Sequence, residues 1–370
     1  MPFTVTPWEV KGDVDYNKLV EQFGTELINE RLLARIQKHT HELHPLLRRK
    51  IFFSHRDLNW LFDKYESGEK FYLYTGRGPS GDTHLGHLLP WIFTKWLQDK
   101  FKAKLYFQMT DDEKFVSNQN LTLEDTRKYF YENTLDVIAI GFDPKRTIIF
   151  SNLDYAKTLY KEALKVAKRL TFSTAKAVFG FTNETNVGLI FFTSMQSVPA
   201  FLESVKQKKN VPCLIPCAID QDPHFRISRD ILPKIGYYKP ALVHAKFFPG
   251  LGKGGKMSAS EPETTIFTTD SEDAVKRKIY SAFTGGRETI ATQKKFGGQP
   301  TLCPLFMYFS AMFESSDKKL EERKTGCSKG ERLCSECKAE LTRLITKFLK
   351  EHQRRRRLAK KKLSKFIVED

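Results

Sequence analysis

Apolar and polar positions follow two different periods along this chain, and the change between them divides it. Over 17–37 the residues Leu19, Phe23, Leu27, Ile28 and Leu32 recur at helical spacing, and Ser54 is placed to cap a short helix reaching residue 65. Residues 1–70 are therefore expected to form a mostly helical extension. From 71 onward, β-rich runs at 71–75, 104–109, 146–150, 212–219 and 241–247 alternate with helical stretches at 85–101, 123–140, 155–170 and 223–235. Strand–helix alternation requires crossover connections, so 71–268 is expected to be an α/β domain with a parallel sheet covered on both faces. Ligands of such sheets sit beyond the carboxyl ends of the strands. After about 268 the β signal stops. Segments 271–283, 303–324, 331–352 and 354–367 read as helices, a helical domain over 269–370.

Composition adds limits. With 370 residues, 40% of them hydrophobic, the chain suffices for two or three domains and a sizeable core. Its longest apolar runs, such as 211–219, fall short of the ~20 residues a membrane-crossing helix needs. The N-terminus has no basic stretch followed by an apolar one, so no secretory signal is expected. Six scattered cysteines suit a reducing, cytoplasmic setting in which the sequons at Asn120 and Asn183 stay silent. Charge says more. The net charge is +17, and 338–365 holds twelve Lys and Arg against Glu340 and Glu351. A polyanionic partner such as nucleic acid explains that field; a solvated helical tail is the plainer reading.

Two motifs carry chemistry. The strand at 71–75 runs into Gly76-Arg77-Gly78-Pro79-Ser80-Gly81, after which Asp82-Thr83-His84-Leu85-Gly86-His87 opens a helix. Read literally, 76–81 is G-x-G-x-x-G with Asp99 downstream, the fingerprint of a nicotinamide dinucleotide site. Pro79 and Ser80 oppose that reading, because they delay the helix to about His84 and a pyrophosphate would need it earlier. Two imidazoles three residues apart at a helix start can instead both bond one anion. The second motif, 251–260, offers Gly252, Gly254 and Gly255 for mobility, Lys256 as a point charge, and Ser258 and Ser260 as donors. Such a loop can close over a phosphate chain.

Together, His84-Leu85-Gly86-His87 and Lys256-Met257-Ser258-Ala259-Ser260 resemble the HIGH and KMSKS signatures of class I aminoacyl-tRNA synthetases. The segments 74–80, 108–114 (QMTDDEK) and 218–223 (AIDQDP) are similar to the eukaryotic-type tryptophanyl-tRNA synthetases, a likeness running from Pro7 to about Arg357. The resemblance implies a Rossmann-like catalytic domain and a helical C-terminal domain that binds the tRNA anticodon. It implies activation of tryptophan by ATP with Mg²⁺, transfer to tRNA(Trp), and a homodimer. Catalysis then rests on positioning and charge stabilisation, with no protein nucleophile. His84, His87, Lys256, Ser258 and Ser260 are the implied catalytic residues. Thr75, Gly76, Arg77, Gly78, Pro79, Gly86 and Met257 join them around ATP.

Indole presents one N–H donor and no acceptor, so selectivity requires an oriented acceptor. The resemblance assigns that part to Tyr74 and Gln108, and the amino acid's ammonium and carboxylate to Glu113, Gln196 and Gln221. Plainer readings stand beside these: Tyr74 as a core tyrosine, Gln196 as a polar helix residue, and 111–113 as a Mg²⁺ site. No resident metal is expected. Cys327, Cys334 and Cys337 supply three thiols, and His352 is a remote fourth ligand for zinc. Where relatives have Val-Asp-Pro-Trp over the active site, this chain has Val5-Thr6-Pro7-Trp8, and Thr6 supplies no charge. A tyrosyl-tRNA synthetase, with the same fold and signatures, remains the main alternative, and a nicotinamide oxidoreductase the remoter one.

Overall fold

The computed structural model describes residues 3–7, 10–12 and 14–370; Trp8 lies outside them. Strands β1 (Thr4–Val5) and β2 (Val10–Lys11) form a small antiparallel ribbon. Seven more make one sheet: β3 (Glu26–Leu27), β4 (Phe52–Arg56), β5 (Tyr72–Arg77), β6 (Leu105–Met109), β7 (Thr147–Ser151), β8 (Cys213–Ala218) and β9 (Ala241–Ala245). Their spatial order is β3-β4-β9-β8-β5-β6-β7. Strands β5 to β9 are mutually parallel, and they occupy the five positions expected from the apolar runs. Their order reverses between β5 and β8. In an open α/β sheet that reversal leaves a crevice at the carboxyl ends of the strands, where ligands bind.

The N-terminal segment departs from expectation. The continuous helix read over 17–37 is two, Tyr16–Phe23 and Glu30–Thr40, separated where Gly24 takes a left-handed φ of 62° and β3 follows. Leu27, counted on the helical face, is 51% exposed. Ser54 caps nothing. It lies buried inside β4, which pairs antiparallel with β9, and the following helix starts at Leu58 after Asp57. Residues 52–56 (FFSHR) lack clean alternation because the strand is covered on both faces, and periodicity cannot separate such a run from a helix segment.

Helices Leu85–Phe101 and Leu123–Ile140 match their expected bounds. The C-terminal region is helical but differently divided. The stretch 303–324 is broken into Pro304–Tyr308, a π-turn at Phe309–Phe313 and Asp317–Ser328. The last two expected helices are one, Cys334–Ala359, continued by a 3₁₀ segment Lys360–Lys365. That long helix does not build a core of its own: Leu341, Ile345 and Leu349 join one apolar cluster with Leu85, Leu88 and Phe107. Polar contacts reinforce the seam. His352 Nε2 lies 2.8 Å from Asp136 Oδ1, and Arg356 reaches Asp136 and Glu132. Beyond it, Phe366 O accepts from Ile149 N and Val368 N donates to Ile149 O, so the terminal residues line the β7 edge.

Candidate active site

Both signature motifs meet at the carboxyl ends of β5 and β8. His84 is the N-cap of helix Leu85–Phe101, its backbone extended, and its N–H donates to His87 Nδ1 at 3.2 Å. The two rings stack with centroids 3.5 Å apart. The second loop is pinned against this turn: the Gly86 N–H points at Met257 Sδ, 3.4 Å away. A Cβ on Gly86 would stand 3.1 Å from the His84 ring and 3.5 Å from Met257 Cβ, so any side chain there would press the ring out of its place by a few tenths of an ångström. Behind it, Leu85 N donates to Ile266 O and Thr268 N to Thr83 O, which ties the chain after the loop to the turn.

Burial decides the protonation of the histidines. His84 is pushed down to about 3, first by desolvation and then by the charges of Arg77 and Lys256. His87 is held well below its ordinary value by the same causes. Both are therefore neutral N–H donors at neutral pH rather than imidazolium ions, and His84 Nδ1 is buried without a bonding partner. Positive charge comes from elsewhere. Arg77 sits at the end of β5, its Nε donating to Asn133 Oδ1 at 3.2 Å. Lys256 Nζ stands 3.2 Å from Asp220 Oδ2. Lys114, a residue that sequence reasoning quoted without giving it a role, pairs with Glu113 at 2.9 Å and presses on His87 electrostatically. Its stem fills the place that a Cβ on Gly78 would need, 2.1 Å from Lys114 Cε.

A second group of residues forms a buried hydrogen-bond chain beside the first. The Tyr74 hydroxyl lies 2.5 Å from Gln108 Oε1 and 3.1 Å from the Gln196 carbonyl. Gln108 Nε2 donates to Asn152 Oδ1 at 2.9 Å, and Asn152 Nδ2 to Asp112 Oδ1 at 2.8 Å. Asp112 Oδ1 accepts from the Asn152 amide N–H, which fixes the orientation of both amides and so the direction of every bond back to Tyr74. With its proton given to Gln108, the phenol oxygen keeps lone pairs for an incoming donor. Gln196 Oε1 is likewise buried and unpaired.

Not every residue expected at the site is equally placed. Thr75 Oγ1 is spent on Pro216 O, bracing β5 against β8. Pro79 is buried, and Ser258 and Ser260 bond to each other at 2.8 Å, with Ser260 at the surface. Gln221 bonds the Asp220 carboxylate. Asp220 itself was missed. Its signal was present in the 218–223 run, but a buried acid facing a lysine 36 residues away has no periodicity to betray it.

The model for tRNA synthetases class I of the W and Y type matches residues 66–350. The tryptophan–tRNA ligase of Pyrococcus abyssi is 52% identical over 367 residues, covering 98% of this chain and 94% of that one. Among solved structures, tryptophanyl-tRNA synthetase from Plasmodium falciparum superposes with a TM-score of 0.89 at 40% identity, covering 95% of each chain. The Giardia lamblia enzyme gives 0.89 at 37%, covering 96% of each. The likeness thus extends to an archaeal relative at 52% identity, and the tyrosine and nicotinamide alternatives are not favoured. With the class model matched over most of its length and half its residues in common with an archaeal ligase, the chain belongs to the tryptophan–tRNA ligase family of class I tRNA synthetases.

Proposed function

We propose that this chain activates tryptophan with ATP, releasing pyrophosphate, and then transfers the tryptophanyl group to tRNA(Trp). One observation carries the assignment of its residues: Met257 packs on Gly86, so Lys256 and the histidine turn share one anion-binding space. The tryptophan carboxylate attacks the ATP α-phosphate in line, and the bond to the departing pyrophosphate breaks. His84 and His87 donate neutral N–H bonds to phosphate oxygens, while Lys256, with Ser258 and Ser260, takes up the charge growing on pyrophosphate. Arg77 and Lys114 flank the triphosphate. Gly76, Gly78 and Gly86, whose Cα atoms pack against Gln108, Lys114 and His84, complete the wall around it with the main chain of Thr75 and Pro79 and the Met257 side chain. Tyr74, backed by Gln108, accepts the indole N–H; Gln196, Gln221 and Glu113 hold the amino-acid end.

Mg²⁺ would travel with the ATP phosphates. Asp111 already accepts from Ser151 Oγ and Asp112 from Asn152, which speaks against a magnesium held by the acidic run. The helices from 269 onward would read the anticodon, with Arg357, Lys360, Lys361 and Lys362 exposed to meet phosphate. Leu153, Tyr160, Leu164, Phe172 and Val187, all in the segment that follows β7, are exposed apolar side chains and suit the interface of a homodimer. No helix among the described residues is long and apolar enough to cross a membrane, and a cytoplasmic enzyme fits that. ATP–pyrophosphate exchange tests the reading: tryptophan should support it and tyrosine should not. Exchange with neither amino acid, or with tyrosine alone, overturns it.

A further inference from the structure

Asn152 and Asp112 have no place in holding substrate, yet they form the far end of the hydrogen-bond chain that begins at Tyr74. Asn152 directly follows β7 and is buried, its backbone N–H donating to Met109 O at 3.0 Å at the end of β6. Asp112 is half-buried in the first turn of helix Asp111–Ser117, which follows β6. Two adjacent strand ends thus deliver the two side chains to one spot. Asn152 Oδ1 accepts from Gln108 Nε2 at 2.9 Å, and Asn152 Nδ2 donates to Asp112 Oδ1 at 2.8 Å.

At its Tyr74 end the chain is free to run either way. The Tyr74 proton has two acceptors, Gln108 Oε1 at 2.5 Å and the Gln196 carbonyl at 3.1 Å. With the Gln108 amide turned over, its NH2 would donate to the phenol oxygen, and the Tyr74 proton would go to Gln196 O. Gln108 Oε1 would then accept from an Asn152 amide turned over in the same sense. No bond is lost up to that point, but the phenol oxygen has spent a lone pair inside the protein. A ring N–H arriving there would find it occupied. The Asp112 end separates the two arrangements. In the reversed chain Asn152 Oδ1 would face Asp112 Oδ1, acceptor against acceptor, and both would go unsatisfied. The Glu113 backbone N–H donates to that same Asp112 oxygen at 2.8 Å. It therefore stays an acceptor even when the carboxyl carries a proton on Oδ2.

We propose that Asn152 and Asp112 are positioning residues for amino-acid selection: by holding the Gln108 amide with its oxygen toward Tyr74, they reserve the phenol oxygen for a ring N–H. Both act through Gln108 and neither touches the amino acid. The proposal rests on the assignment of the indole N–H to Tyr74.

ATP–pyrophosphate exchange with tryptophan and with benzothienylalanine, in which sulfur replaces the ring N–H at nearly the same size, reads the selection as a ratio of kcat/KM values. That ratio does not depend on how much of a variant is folded. The wild-type chain should favour tryptophan by roughly 10²-fold or more. Asn152→Leu and Asp112→Ala should each lower the ratio by about tenfold or more, through a higher KM for tryptophan with KM for ATP unchanged. Asp112→Asn should keep the wild-type ratio, because the Glu113 N–H holds its amide oxygen in the place of Oδ1. A wild-type ratio in both Asn152→Leu and Asp112→Ala overturns the proposal and leaves the Tyr74 assignment standing. A ratio near one in the wild-type chain overturns the Tyr74 assignment and the proposal with it. An Asp112→Asn variant as unselective as Asp112→Ala overturns the role of the acceptor in setting the direction.

Discussion

Replacing Lys256 by alanine probes the site at its most charged point. Its ammonium is 29% exposed and stands 3.2 Å from the nearly buried Asp220 carboxylate. Unit charges at that separation attract by about 5 kcal/mol at an effective dielectric near 20, reduced by solvent at the partly open ammonium. A triphosphate presents more negative charge than Asp220, so the lysine can change partners as pyrophosphate departs. Loss of one such preorganised group costs about 3–4 kcal/mol in the transition state, a slowing of adenylate formation by roughly 10²–10³-fold. Tryptophan affinity should change little, since the role proposed for the ammonium is toward the phosphates. Single-turnover adenylate formation and equilibrium dialysis with labelled tryptophan measure the two quantities. Equal losses in both would refute the role given to Lys256. Asp220→Asn supplies the complementary sign. Burial raises the Asp220 carboxyl, with Lys256 pulling it back down, so ionising it in the folded state costs stability once pH passes the ordinary carboxylate range. Asp220→Asn should therefore keep or gain stability at neutral pH, and Lys256→Ala should lose stability as pH rises.

Gln108→Leu removes the acceptor that orients the Tyr74 hydroxyl, so kcat/KM for tryptophan over phenylalanine should fall by roughly tenfold or more; unchanged discrimination would place the indole elsewhere. Asp112 is pushed up to about 7, chiefly by burial, with Asn152 and the Glu113 amide opposing. A raised carboxyl gives stability that is present at low pH and lost as pH climbs from about 4 to 7, so Asp112→Asn should flatten urea-unfolding stability over that range by at most about 4 kcal/mol. Parallel pH profiles would show that the carboxyl is not buried as described. Asp136→Ala strips His352 and Arg356 of their shared acceptor and should cost about 3–5 kcal/mol in urea unfolding; a loss under about 1 kcal/mol would mean that the long C-terminal helix is held by its apolar face alone.

What the sequence made legible is what short-range chemistry writes. Helix Leu85–Phe101 begins where Pro79 and Ser80 delay it, and the five parallel strands sit on their β-branched and aromatic runs. The resemblance placed Gly86 and Met257 around one ligand, although their contact with each other needed the fold. The errors share one cause. Ser54 looks like a cap because it precedes helix-forming residues, yet strand β4 gains more by pairing with β9, whose sequence lies some 190 residues away; Ser54 Oγ then bonds His244 at 3.0 Å. Lys114 and Asp220 act on groups that the fold brings in from other segments, the turn at 78–87 and the loop at 256.

On the proposed assignment, the charges of the site select for a highly charged ligand. Lys256 is matched by Asp220 and Lys114 by Glu113, and both histidines are neutral, so the lysines present little net field. Arg77 differs. Burial lowers its guanidinium to about 10, still charged at neutral pH, and among the described residues it has a neutral amide rather than a carboxylate as hydrogen-bond partner. A phosphate chain therefore finds Arg77 without an acid partner and must draw the two lysines from carboxylates already in contact with them. A monophosphate has too little charge to compete for both, whereas a triphosphate can engage all three cations at once. The ion pairs of the ligand-free site are in this way a filter on charge, and Asp220→Asn should relax it by tightening AMP relative to ATP. An unchanged ratio of the two affinities in a direct titration would show that the carboxylates take no part in the selection.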